Sequence, residues 1–261
     1  MTPGPDPTAL KMATLVATRL GEALGSNLAA IYLHGSAVLG GFDPSVSDLD
    51  VLVICEDPLS DAEVDAVATS VEHLDLPAKG LEMSVLTRSE ARDPDVGRPR
   101  FQIHAAIGQG GAARRVDGRP GGGDRDLILH IAVCRSSGHP LAGPAPEATL
   151  PSLSDAIVQQ AMIDEIGWAR GSGDPVYLVL TAARASEFAR TRRLVSKVEA
   201  GKADAALPVV RAALARQRGV ASPIDPADAR RYADEVEARL RSDRTLTDAG
   251  LTEARAGRVK R

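Results

Sequence analysis

Two regimes of hydrophobic patterning divide this chain. Up to Cys134 the apolar residues gather in short runs bounded by Gly, Pro, Ser and Asp; from Leu153 onward they recur at helical spacing. In the first regime, Thr8–Leu24 has the spacing of an amphipathic helix, behind a loosely packed leader at Pro3–Pro7. Leu28–Leu33 is a β-prone run, broken by Gly35 and Ser36, and Ala37–Leu39 begins a short helical turn. Gly40–Ser47 carries the punctuation of a loop. Leu49–Cys55 is almost continuously apolar, as a strand buried on both faces should be. Asp61–Leu74 reads as a helix, and Leu81–Leu86 alternates as a strand. Gly108–Asp124 is rich in Gly and Arg without apolar periodicity; it reads as a mobile surface loop, since no helix opening with Lys-Ser/Thr follows to make it a phosphate cradle. Asp126–Cys134 has apolar weight and reads as a helix or a strand.

Pro140–Pro151, with Pro144 and Pro146 inside it, is a natural boundary, which predicts domains at 1–150 and 151–261. Beyond it, Asp155–Ala169, Val176–Val195, Lys202–Arg216 and Pro226–Leu240 predict a helical bundle. Ser154 is a helix start, and Asp225 is another, with Pro226 at the first helical position. The last dozen residues are basic and are expected to fray. The predicted fold class is α+β.

Composition narrows the function. The chain is 44% hydrophobic and 25% charged, hence globular, and its net charge of −4 argues against nonspecific nucleic-acid binding. No apolar stretch approaches the ~20 residues of a membrane span, and the N-terminus lacks a signal pattern. A cytoplasmic monomer without membrane or nucleic-acid partners is expected. Cys55 and Cys134 each fall in an apolar run and read as buried core thiols, because two cysteines cannot fill a tetrahedral zinc site.

The chemistry concentrates in Ile31–Glu56. Asp48 and Asp50 are two apart on a strand and therefore share one face. Glu82, on the neighbouring strand, offers a third carboxylate and shares its face with Ser84. Carboxylates brought this close repel unless cations neutralise them, and magnesium is usually held by one or two carboxylates plus substrate phosphates. Gly35 lets backbone approach a phosphate, and the Ser36 hydroxyl can donate to one. Attack of a hydroxyl on a nucleoside triphosphate, with two metals in line, is the expected reaction.

LHGSAVLGGFDPSVSDLDVLVI resembles the signature of the nucleotidyltransferase superfamily, a Gly-Ser turn followed by Asp-x-Asp. More closely, the chain is similar to the aminoglycoside adenylyltransferases that modify streptomycin and spectinomycin. LEMSVL is similar to the strand that carries their catalytic glutamate, HPLAGP to the end of their first domain, and YLVLTAAR and VSKVEAG to their nucleotide-contacting helices. The resemblance implies an N-terminal nucleotidyltransferase domain with a mixed β-sheet and a C-terminal helical domain, with ATP and a small cationic antibiotic bound between them. It implies that Ser36 and Ser47 contact phosphates, and that Asp48, Asp50 and Glu82 hold Mg2+, two ions in all. Glu82 would also be the general base, Asp126 would lie in the nucleotide pocket, and Arg184 and Lys197 would reach the triphosphate.

Some of these roles can be weighed by physics. A carboxylate with an ordinary pKa of about 4.3 is a weak base unless its site or a metal helps. Arg184 and Lys197 would lie roughly 140° apart on one straight helix, so both can serve one triphosphate only if the helix ends between them, near Ser196. The acceptor side departs from the family. Where members that accept streptomycin carry a tryptophan, this chain has Ala106, with His104 and Phe101 the nearest rings. Trp168 is expected to pack in the helical core, and Asp174, near Tyr177, matches an acidic position that reads the cationic substrate. Glu165 and Asp164 are expected to add acidic character to the cleft. Asp174, Tyr177 and His104 are therefore the expected acceptor contacts, with spectinomycin favoured over streptomycin. The rival readings are a nucleotidyltransferase with another acceptor and a non-catalytic nucleotide sensor.

Overall fold

The computed structural model describes residues 4–72, 74, 76–108 and 113–258, with side chains described up to residue 242. The expectations for residues 1–3 of the leader, 73 in the third helical segment, 109–112 of the Gly/Arg stretch and 259–261 at the end lie outside the described residues. The chain divides into two compact units, Met1–Ser154 and Asp155–Arg261.

The first unit opens with helix α1, Pro7–Leu24. Asp6 caps it by accepting from the Thr8 and Ala9 amides, Pro7 fixes the first turn, and Ala9, Met12, Val16 and Leu20 bury one stripe. Then follow β1 (Leu28–Leu33), the single turn α2 (Ser36–Leu39), β2 (Asp48–Cys55), α3 (Asp61–Glu72) and β3 (Gly80–Thr87). The remainder is α4 (Arg88–Arg92), β4 (Ile103–Gly108), β5 (Ala113–Asp117), α5 (Leu127–Ser137), β6 (His139–Ala142) and α6 (Pro146–Thr149).

The six strands form one sheet in the order β5-β4-β3-β2-β1-β6. Only β2 and β3 run parallel, joined through α3 as a parallel pair requires; every other neighbouring pair is antiparallel. Alternation sorts the side chains to two faces. On one, Tyr32, Leu52, Ile54 and Leu86 pack against Leu127, Ile131 and Cys134 of α5. The other carries Ile31, Leu33, Val51, Val53, Met83 and Val85, all buried, and is covered by α1 and α3. The Arg115–Asp65 ion pair at 3.2 Å ties β5 to α3 on that second side. Cys55 and Cys134 are buried free thiols, and burial pushes the Cys55 thiol up to about 12.

The second unit is helical throughout the described residues: α7 (Asp155–Ser172), α8 (Pro175–Thr191), α9 (Lys197–Ala203), α10 (Pro208–Gln217) and α11 (Pro226–Arg258). The predicted α+β class with a mixed sheet and a helical C-terminal part is what the structure has.

Several expectations are corrected. The stretch read as a loop from Gly108 to Asp124 contains β5, an edge strand whose sequence ARRVD is too charged to alternate visibly. The segment read as one helix over Lys202–Arg216 is two, α9 and α10, because residues 204–207 form turns before Pro208 starts the next helix. The preceding helix stops at Thr191 rather than Val195, because Arg192 turns left-handed at φ 57°. α11 continues to Arg258, well past Leu240, where the sequence pattern ends the helix.

Tyr32 is fully buried on β1 and donates its hydroxyl to Thr149 Oγ1 at 2.8 Å, with the Pro144 carbonyl 3.1 Å away. This anchors the closing segment of the unit to the sheet. Tyr32→Phe strands the buried Thr149 hydroxyl and should cost about 1–2 kcal/mol, read as a lowered urea midpoint with an unchanged m-value.

Candidate active site

Strand direction gathers the site at one edge of the sheet. β2 and β3 start at that edge, while antiparallel β1 and β4 end there. The turn after β1 therefore meets the start of β2, and the His34 amide donates to the Asp50 carbonyl at 3.0 Å. Asp50 pairs directly with Glu82, and Asp48 with Gly80. All three carboxylates thus stand on the α5 face, with Asp50 beside Glu82.

Gly35 makes the turn possible. Its φ of 64° is left-handed, and a Cβ here would overlap the Asp50 carboxylate. The turn holds through Val38 and Leu39 amides donating to the Gly35 carbonyl at 3.3 and 3.1 Å, with Ser36 opening α2. Gly80 clears room likewise: a Cβ there would stand 2.7 Å from Asp48 Oδ1. Ser47 closes the loop before β2, its hydroxyl accepting from the Asp43 amide at 3.1 Å, which leaves its own O–H to donate elsewhere.

Lys79 brings a cation to the carboxylates. Lys79 Nζ is 3.2 Å from Asp48 Oδ2, both side chains being partly exposed. Among the described residues no three His, Cys, Asp or Glu side chains converge to hold a metal by themselves. The donor set therefore suits magnesium bound by carboxylates and substrate phosphates together, not a preformed protein cage.

Imidazoles surround the carboxylates. His34 is buried, with its ring centroid 4.9 Å from that of His130 on α5. Burial, and then the neighbouring His130, holds His34 well below the ordinary histidine range. His104 Nδ1 is 3.0 Å from Ser84 Oγ. Burial lowers His104 most, against the opposing pull of the Glu82 charge, so it is neutral at neutral pH. Asp126 immediately precedes α5, one turn before His130, and its amide donates to Asp124 Oδ1 at 3.0 Å.

The second unit holds its own charged centre. Glu165 on α7 is buried, and it bonds the Arg184 guanidinium, Lys197 Nζ at 3.1 Å and the Tyr177 hydroxyl at 3.1 Å. Lys197 also stands over the Tyr177 ring, 3.6 Å from its centroid. Arg184 and Lys197 meet because α8 ends between them and Ser196 caps α9 by accepting from the Glu199 amide. The break falls where the angular argument required one. Glu165 corrects its sequence reading: it does not line an acidic cleft but is sequestered between two cations. Trp168 is corrected too: it is 59% exposed and sits edge-on to Tyr177, centroids 5.5 Å apart. Asp174 caps α8, its Oδ1 accepting from the Val176 and Tyr177 amides.

In sum, Gly35, Ser36, Asp48, Asp50 and Glu82 belong to one sheet edge, with His104 further in on the same face, and Tyr177, Arg184 and Lys197 converge on Glu165. Sequence reasoning missed Lys79, His34 and His130. Lys79 directly precedes the Glu82 strand, and the two histidines fall on the same face as the carboxylates once α5 is placed.

Residues 16–105, within the first unit, match the family model of the nucleotidyltransferase domain. The fold as a whole is similar to a crystal structure of spectinomycin adenyltransferase AAD(9) from Enterococcus faecialis with ATP and spectinomycin. The TM-score is 0.69 at 20% identity, over 88% of this chain and 98% of that one. That match establishes a shared fold. No helix among the described residues is long and apolar enough to cross a membrane.

Two outcomes follow from this geometry. Gly35→Ala should displace the Asp50 carboxylate and cost both stability, by about 1–3 kcal/mol, and any metal-dependent activity; a thermal melt and a magnesium titration monitor the two. For Glu165, burial alone would raise the carboxyl, but Arg184 and Lys197 outweigh it and hold it at about 2, below the ordinary 4.5. A depressed folded pKa gives stability that is present above the unfolded value and lost as pH falls toward the folded one. Stability should drop by about 3 kcal/mol between pH 5 and pH 2. Glu165→Gln should lower stability at pH 7 and flatten that acid slope, measured by urea titration across the range.

Proposed function

We propose that this protein is a magnesium-dependent adenylyltransferase that moves AMP from ATP to a hydroxyl of an aminoglycoside-type antibiotic, with spectinomycin the first acceptor to try and streptomycin the second. The observation that carries the reading is the cross-strand pair of Asp50 and Glu82 beside the Gly35–Ser36 turn. Support for the acceptor class comes from the similar fold of a spectinomycin adenyltransferase with ATP and spectinomycin.

The chain's own groups suit each part of the reaction. The backbone at Gly35 and the hydroxyls of Ser36 and Ser47 are donors for phosphate oxygens. Asp126 is assigned to the nucleotide. Asp48, Asp50 and Glu82 would hold magnesium together with the phosphates, and the ion would neutralise charge on the triphosphate. In the transfer, the acceptor oxygen bonds to the α-phosphorus, the bond to the bridging oxygen toward the β-phosphorus breaks, and pyrophosphate leaves. Glu82 takes the acceptor's proton. His104 is fixed on Ser84, next to Glu82 on the β4 side. Within the second unit, Arg184 and Lys197 form a cation pair of the type that binds phosphate, and we assign them to the triphosphate. Tyr177 keeps Lys197 over its ring and holds Glu165 from the other side.

Pyrophosphate release from magnesium-ATP with spectinomycin tests the proposal, and absence of acceptor-dependent release would reject it. Glu82→Gln should lose about 10²–10⁴-fold in kcat while ATP binding, followed by equilibrium dialysis, stays close to wild type. Turnover near normal in that variant would remove Glu82 as the base.

A further inference from the structure

The sheet places a cation in line with the carboxylates. Asp50 pairs with Glu82, Glu82 with Ala106, and Ala106 with Arg114, so one row crosses β2, β3, β4 and β5 on a single face. Strands stand about 4.8 Å apart, which puts the Arg114 backbone about 10 Å from that of Glu82, within reach of its long side chain. Ala106 is the residue between them in that row. Arg114 is exposed, whereas its neighbour Arg115 points to the opposite face and pairs with Asp65. The field of Arg114 is also felt at His104, after burial, Glu82, His130 and Asp124. Arg114 and Glu82 therefore flank the same imidazole.

We infer that Arg114 is a specificity-determining residue, which sets a limit on the positive charge an acceptor can carry over Ala106. The inference rests on the adenylyl-transfer reading. The Gly35–Ser36 turn lies on the β1 side of Glu82, so an acceptor whose proton goes to Glu82 comes from the β4 side and covers Ala106. Its far end then meets the guanidinium. Each cationic group near Arg114 is disfavoured about three- to tenfold at low salt, and less as salt screens the pair. Small acceptors with few charges, or with carbonyl and hydroxyl oxygens at that end, suffer least. Lys79 and Asp48 lie at the other flank of the row and do not offset this, since they neutralise each other.

The test compares kcat/KM for spectinomycin and for the more cationic streptomycin in wild type, Arg114→Gln, Arg114→Glu and the control Arg115→Gln, at low and at high salt. The expected result is a rise of about threefold for Arg114→Gln and about tenfold for Arg114→Glu, larger with streptomycin, shrinking at high salt, with the KM for ATP unchanged. Arg115→Gln should show no such rise. Unchanged or falling kcat/KM in the Arg114 variants, or a rise that salt does not diminish, overturns the inference and leaves adenylyl transfer standing. Absence of turnover in wild type and all variants with both acceptors, while ATP still binds, rejects the acceptor class itself and this inference with it.

Discussion

Everything chemical in the first unit depends on the register of one parallel strand pair. β2 and β3 run together with Asp50 against Glu82 and Asp48 against Gly80. A slip of one residue by β3 would turn Glu82 away from Asp50 toward α1 and α3, into an apolar layer that cannot pair it. The register is locked from both sides. Leu52, Ile54 and Leu86 must lie beneath α5, and Val51, Val53 and Val85 on the opposite face. Because parallel strands begin at the same edge, the carboxylates at their starts collect there; antiparallel β1 delivers the Gly35 turn to the same place.

Charge at that edge is managed by contrast. A cluster of carboxylates lowers the free energy of any nearby cation, so histidines there would be expected to charge. Burial prevents it: His34 and His104 are both pushed below their ordinary range. Lys79 compensates Asp48 through a partly exposed side chain, and that pairing is worth little. The second unit inverts the arrangement. There a single buried carboxylate serves two cations, and an ion pair so buried survives because Arg184, Lys197 and Tyr177 satisfy both Glu165 oxygens.

Legibility tracked the strength of the local signal. β1, β2, β3 and α1 were readable because burial on one or both faces leaves long apolar runs and because Gly35 and Ser36 punctuate them. The paired aspartates were readable from period-two alternation alone. β5 was not: as an edge strand it needs no apolar face, and its Arg and Asp residues look like loop. The Trp168 expectation failed because composition favours a buried tryptophan, whereas packing against Tyr177 uses only its edge. Glu165 was visible only as an acidic residue. Its partners come from two other helices, and no spacing within one segment reports a contact that spans 19 or 32 residues of sequence (Arg184 minus Glu165, and Lys197 minus Glu165).

Lys197 shows most directly why local rules and tertiary packing diverge. It occupies the first position of α9, after the Ser196 cap, where the positive end of the helix dipole disfavours a cation. Helix physics alone would place Asp or Glu there. The lysine is retained against that preference by Glu165 on one side and the Tyr177 ring on the other. The left-handed Arg192 that ends α8 is a second local cost in the same short connection. Two locally unfavourable choices together bring Arg184 and Lys197 onto one carboxylate, so tertiary pairing overrides local preference in this connection.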